Sequence, residues 1–238
     1  MAKMSVLAPV HRVGGMLFVN KPRGVTSHDV VEVVRRKLGV QRSGHTGTLD
    51  PMAEGLLIVL VGAATTHQQA FQGHEKTYEA VLRLGMQTDT GDALGTPLRT
   101  SPVPPLDGVR VAHLLTSLQG PLRQTPPAYS DVKVGGHPAY WWARRHQPVT
   151  LPSRVVQLFD VSLIECAEQA IRFRVRCSAG TYIRTLGELI AERLETVGCL
   201  SSLVRLRIGP WSLDQAKPLS WIAAADPTTM LQELRCVS

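Results

Sequence analysis

Gly44-His45-Thr46-Gly47-Thr48-Leu49-Asp50-Pro51-Met52-Ala53-Glu54-Gly55-Leu56-Leu57-Ile58-Val59-Leu60-Val61 sets one carboxylate between a glycine-rich segment and an apolar run. The glycines and Pro51 hold the backbone in a fixed, non-regular path. The run from Leu56 to Val61 reads as a buried strand. A carboxylate on such a loop, braced by a core strand, is well placed to be aimed at a substrate. Asp50 can equally be read as the opening of an Asx-type turn before Pro51. On these residues alone both readings stand.

The 238 residues allow one large domain, or one and a half, with a sizeable core. Apolar content of 44% and charged content of 19% fit a soluble globular protein. The longest apolar run, residues 56–64, is far too short to span a membrane. Met1 to His11 carries no sustained apolar segment of the secretory kind. Cys166, Cys177, Cys199 and Cys236 form no Cys-x-x-Cys pair and read as reduced, mostly buried thiols of a cytoplasmic protein. Lys and Arg outnumber Asp and Glu by 26 to 19, a net +7 that favours a polyanionic partner. Arg172, Arg174 and Arg176 alternate with Ile171, Phe173, Val175 and Cys177. On a strand this puts three guanidiniums on one face. That face is either simply solvated or turned to phosphates.

Along the chain, 16–20 reads as a short strand, and Ser27 caps a helix that carries Val30, Val31, Val34 and Leu38 and closes at Gly39. Residues 78–84 alternate as a strand. Residues 88–105, crowded with Asp, Thr, Gly and Pro, read as a surface loop before a helix near 109–118. Strands at 155–163 and 171–177 precede a helix over 181–194 and a last strand over 203–208. Without regular βαβ alternation the class is α+β, with a mixed, largely antiparallel sheet flanked by helices. Residues 125–152 are irregular. The Trp141-Trp142 pair with Arg144 and Arg145 offers stacking surfaces beside cations, as single-stranded RNA binding uses, or else one buried Trp with a solvated basic end.

Several motifs fail on inspection. Gly39-x4-Gly44 lacks the lysine of a phosphate loop, His45 standing in its place. No His-Glu-x-x-His occurs and the histidines are scattered, so no metal site is expected. Asp50 and Glu54, four apart, leave a base-releasing glycosidase as a rival reading.

The octet, extended through Leu57, resembles the signature of the TruB family of tRNA pseudouridine synthases, bacterial type. Other family landmarks follow in order: residues 20–29 (Asn-Lys-Pro-Arg-Gly-Val-Thr-Ser-His-Asp), Lys76-Thr77-Tyr78, Pro126-Pro127-Ala128-Tyr129-Ser130 with Val132-Lys133, residues 177–186 (Cys-Ser-Ala-Gly-Thr-Tyr-Ile-Arg-Thr-Leu), and 203–209. The resemblance implies a catalytic domain over 15–210 of the pseudouridine synthase fold, with an RNA-gripping insertion at 125–152. It implies isomerisation of uridine 55 in the TΨC arm of tRNA, through a flipped base, with no cofactor and no metal. Asp50 is the implied catalytic carboxylate. Trapping C1′, adding to C6 of uracil and assisting loss of the C2′ proton all remain open to it.

By the same resemblance Tyr78 stacks on the flipped uracil, and Arg184 pairs with the carboxylate. Tyr182 and Leu203 wall the pocket, and His45 helps to fill the space the base leaves. Arg144, Arg145, Arg172, Arg174 and Arg176 are the expected phosphate contacts. Read without the family, Tyr78 and Leu203 would be core residues and Arg184 a solvated charge opposing its helix dipole. Lys21 and Pro22 have sufficient reason as a tight turn. Asp131 departs from the pattern, standing where the family usually has alanine. Residues 211–238 look too short for the family's terminal RNA-binding domain, and a strand fragment with a short helix is expected there. The partner expected is the TΨC stem-loop, without membrane, for a monomer. The reading from another class is a non-catalytic tRNA-binding or tRNA-folding protein on the same scaffold.

Overall fold

The computed structural model describes residues 14–236. The stretch from Met1 to His11, read above for a signal segment, lies outside them. The chain enters through β1 (Gly15–Lys21) and turns into α1 (Ser27–Leu38). Thr26, not Ser27, caps this helix: its extended backbone lets its hydroxyl accept from the Asp29 N–H at 3.1 Å, while the Asp29 carboxylate accepts from the Thr26 N–H at 2.8 Å. Ser27 is one residue too far in and buries its hydroxyl instead. Gly39, in the left-handed region at φ 62°, ends the helix.

The signature octet begins as a short strand, β2 (Ser43–His45), where sequence alone led us to expect irregular backbone. β3 (Glu54–Val61) follows, then α2 (Gln68–Gln72), β4 (Lys76–Leu84) and a hairpin of β5 (Met86–Thr88) and β6 (Pro97–Thr100). The segment expected as a surface loop over 88–105 is therefore partly ordered, with Thr88 and Asp92 buried. Its Asp and Thr side chains bond nearby backbone and so substitute for regular structure. Next come α3 (Gly108–Ser117), capped by Asp107, and β7 (Gly120–Gln124). The irregular region holds β8 (Lys133–Val134), β9 (His137–Pro138) and α4 (Ala139–Ala143). Then follow β10 (Arg154–Ala167), β11 (Ala170–Cys177), α5 (Ile183–Arg193) and β12 (Gly198–Ile208). Beyond them lie β13 (Trp211–Ser212), β14 (Lys217–Pro218), α6 (Leu219–Ala224) and α7 (Pro227–Gln232).

These elements form two compact units, one of residues up to His74 with those from Arg205 onward, the other Glu75–Val204. In the first unit β1 runs antiparallel to β3, from Gly15↔Val61 to Lys21↔Gly55. β14 adds to β1 in parallel and β2 to β3 antiparallel. Arg205 of β12 donates to the Leu56 carbonyl of β3 at 2.8 Å. Both faces of this sheet are covered. Leu17, Val19, Leu57 and Val59 pack against Val30, Val34, Ile222 and Met230, while Phe18, Leu56 and Ile58 pack against Phe71 and Ile208. That two-sided burial is why residues 56–61 read as an unbroken apolar run, each such side chain contributing about 1.5–3 kcal/mol.

In the second unit β4, β11, β10 and β7 form an antiparallel ladder, and Ser201 of β12 donates to the Val81 carbonyl of β4 at 3.2 Å. Here alternation is clean. Tyr78, Ala80, Leu82, Ile171, Phe173, Val175 and Cys177 are buried on one face, and Glu79, Arg172, Arg174 and Arg176 stand on the other. The class is α+β. Cys177 and Cys199 are buried thiols, Cys166 is half-buried and Cys236 exposed. No helix among the described residues is long and apolar enough to cross a membrane.

Candidate active site

The Asp50 loop is built within the first unit. The Ala53 N–H donates to the Asp50 carbonyl at 3.0 Å, closing a turn with Pro51 at its second position. Three anchors hold this turn. The Gly24 N–H donates to the Pro51 carbonyl at 2.8 Å. Ser27 Oγ accepts from the Leu49 N–H at 2.8 Å and donates to the Leu49 carbonyl at 3.1 Å. Arg205, only 1% exposed, donates to the carbonyls of Leu56 at 2.8 Å, Gly47 at 3.0 Å and Thr48 at 3.3 Å. One buried guanidinium thus ties together the backbone on both sides of Asp50. Gly55, at φ 104°, lets this happen: a Cβ there would collide with the Arg205 backbone.

Lys21 lies fully buried near this turn, donating to the carbonyls of Val25 at 2.7 Å and Pro22 at 3.0 Å. Burial pulls its ammonium down from the ordinary 10.5 to about 8, against the opposing pull of the Asp50 and Glu54 carboxylates. His45 ends β2, opposite Val59. Asp50 and His45 are both half-buried.

The remaining expected site residues lie in the second unit. Tyr78 is buried on β4 opposite Val175. Leu203 is buried on β12. Arg184, second residue of α5, is 4% exposed rather than solvated. Its guanidinium donates to the Thr90 carbonyl at 2.6 Å and to the Tyr129 carbonyl at 2.8 Å. Both acceptors sit on shaped loops: Gly91 is at φ 74°, and the Tyr129 hydroxyl donates to Asp89 at 3.4 Å. Tyr182 caps α5, with the Arg154 guanidinium 5.3 Å from its ring centre.

The expected phosphate contacts prove to be engaged already. Arg172 and Arg174 both donate to Glu79, the latter at 3.1 Å, and Arg176 donates to Glu75 at 2.8 Å. Three cations therefore share a face with two carboxylates. In the irregular region Trp141 lies between the parallel ring of His137, at 4.2 Å, and the Arg145 guanidinium, at 3.6 Å. Trp142 donates to the Val134 carbonyl at 2.9 Å, and Arg144 covers Tyr140 at 5.4 Å. Both faces of Trp141 are occupied, so the stacking surface suggested by the sequence is filled by the chain itself. Arg205 and Gln124 went unnoticed in the sequence. An arginine in an apolar strand beside Leu203 was the available signal for the first.

The family model described as TruB family pseudouridylate synthase (N terminal domain) matches residues 35–183. Over 207 residues the chain is 44% identical to tRNA pseudouridine synthase B of Geobacillus kaustophilus, covering 84% of this chain and 73% of that protein. To the protein of the same name from Opitutus terrae it is 40% identical over 219 residues, covering 92% and 91%. Among solved structures it is similar to a Cbf5-Nop10-Gar1 complex, with TM-score 0.71, 25% identity and coverage of 93% of this chain. An archaeal box H/ACA sRNP Nop10-Cbf5 complex is similar in fold, with TM-score 0.64, 24% identity and 88% coverage. The chain spans 59% and 52% of those two solved chains.

Proposed function

The chain belongs to the TruB family of pseudouridylate synthases, and from that premise we propose that it converts a uridine of tRNA to pseudouridine. The uridine proposed is position 55, in the TΨC arm. In the reaction the bond from uracil N1 to C1′ breaks, the base rotates within the pocket, and C5 bonds to C1′. C5 loses a proton and N1 gains one, so atoms and charge balance without a redox partner.

The observation that carries this reading is the bracing of the Asp50 turn by Ser27, Gly24 and Arg205. Catalysis at a glycosidic carbon depends on a carboxylate held in one place before substrate arrives. We assign catalysis to Asp50, and uridine binding to His45, Tyr78, Tyr182, Arg184 and Leu203. Extrusion of the base from its stack would be needed for it to reach them. Arg144, Arg145, Arg172, Arg174 and Arg176 are proposed as RNA contacts, and the partner as the TΨC stem-loop. The catalytic domain is proposed as 15–210, with 125–152 as its insertion, acting as a cytoplasmic monomer.

The test is to incubate the protein with an unmodified tRNA transcript and map pseudouridine by nucleotide. Formation at position 55 alone is the expected result. Tight tRNA binding with no pseudouridine at any position would favour the non-catalytic alternative.

A further inference from the structure

Gln124 ends β7 and is 3% exposed, which is rare for an uncharged polar side chain unless its hydrogen bonds are met. Its amide meets both backbone groups of a single residue. Oε1 accepts from the Tyr182 N–H at 3.1 Å, and Nε2 donates to the Tyr182 carbonyl at 3.3 Å. Tyr182 is the N-cap of α5, and no side chain of its own caps the helix. Its N–H is one of the donors a helix start leaves unsatisfied, and its carbonyl also takes the first intrahelical bond, from Leu186 at 3.1 Å. The clasp therefore acts at the point that sets where α5 begins.

The neighbouring strand supplies a second grip at the same register. Gln124 pairs with Arg154 across β7 and β10, and it is Arg154 whose guanidinium lies over the Tyr182 ring. Just past that rung Thr125 and Ser153 join hydroxyls at 2.8 Å, which fixes the end of the ladder. Gly180, at φ 79°, brings the chain under Arg154: a Cβ there would stand 3.1 Å from Nη1. Tyr182 is thus held by its backbone from one strand and by its ring from the next. Arg184 follows two residues later on the same first turn.

We propose that Gln124 is a positioning residue for isomerisation, its amide clasp on the Tyr182 backbone setting the first turn of α5 and so the placement of the Tyr182 ring and the Arg184 guanidinium against the uridine. The inference rests on the functional reading above. Gln124 does not touch the reacting atoms. It removes the freedom of the helix start, which is where misplacement of about an ångström would slow chemistry most.

Two variants test it. Gln124→Met keeps the reach of the side chain and loses both hydrogen bonds. It also keeps the wall of the adjoining cavity, about 420 Å³, that Gln124 lines with Thr185 and Glu188. Gln124→Glu keeps the acceptor and regains a donor only when its carboxyl is protonated. Single-turnover rates on a TΨC stem-loop should fall by roughly 10- to 100-fold in Gln124→Met. RNA affinity should stay within about threefold of the parent, a split that marks a loss made in the chemical step. Relative to the parent at each pH, Gln124→Glu should recover as pH falls, while Gln124→Met stays low throughout. Native-state hydrogen exchange at the Tyr182 amide should quicken in Gln124→Met. A Gln124→Met rate within about twofold of the parent, a loss confined to RNA affinity, or parallel pH profiles for the two variants would overturn the inference. If the parent itself makes no pseudouridine, the functional reading falls and the positioning role with it. An active parent with an unimpaired Gln124→Met removes the positioning role alone.

Discussion

Arg205 donates through Nε to the carbonyl of Leu56 at 2.8 Å, a bond between residues 149 positions apart. The same side chain reaches Gly47 and Thr48. An arginine buried among apolar neighbours is costly to desolvate, and three backbone acceptors are what makes it tolerable here. Its position ties the backbone of the Asp50 loop to the core strand β3.

The first prediction follows from the carboxylate at the tip of that loop. Asp50→Asn is nearly isosteric, so it should abolish isomerisation while leaving the melting temperature and tRNA binding close to the parent. A product assay on a TΨC stem-loop decides it. Activity within about tenfold of the parent, equivalent to only ~1.4 kcal/mol of barrier, would remove Asp50 from the role of essential group.

Arg205→Met should lower the unfolding free energy by about 2–4 kcal/mol, because three carbonyls lose a buried donor at once. Arg205→Lys should recover only part of this, since an ammonium lacks the fork that spans several acceptors. Urea denaturation measures both. A Met variant as stable as the parent would show that the carbonyls find other donors.

Salt dependence tests the arginine face. With roughly three to seven phosphates neutralised, RNA affinity should fall with a log-log slope on the order of −2 to −5. Arg172→Ala with Arg174→Ala should flatten the slope without changing which uridine is modified. Because Glu79 accepts from both guanidiniums, Glu79→Gln should steepen it. A slope unaltered by any of these changes would place the RNA elsewhere.

The buried ammonium of Lys21 gives a pH signature. Its pKa is about 8 in the fold and 10.5 ordinarily, so between these values the unfolded chain binds the proton more tightly. Below about pH 8 the burial cost is fully present; as pH rises toward 10.5 it is relieved. Relative to Lys21→Met, the parent should therefore gain stability from pH 7.5 to about 10, read as a growing difference in urea midpoints. A difference that stays constant or shrinks would show that the ammonium is not desolvated in the fold.

Much of the scaffold was legible in one dimension, because the physics there is local. Residues 56–61 announce a strand buried on both faces, and the alternation of Arg172, Arg174 and Arg176 announces one with a polar face. Gly39 ends its helix through a conformation that few other residues accept. The carboxylate itself stood out, framed by glycines and proline. What the sequence could not supply was the identity of each polar partner. Ser27 and Thr26 are interchangeable as caps until the fold buries one of them against Leu49. Read without the family, Arg184 would be a solvated charge; it is buried and donates to two loop carbonyls. The arginines of β11 looked free and face Glu79 on β4 and Glu75 just before it, about a hundred residues earlier in the chain. Trp141 could be read as a stacking surface or as a buried ring, and it is sandwiched by His137 and Arg145. Hydrophobic period and turn chemistry depend on neighbours in sequence, so they can be read directly. Hydrogen bonds and ion pairs between distant segments depend on which backbones the closed fold brings within about 3 Å, and only the tertiary structure decides that.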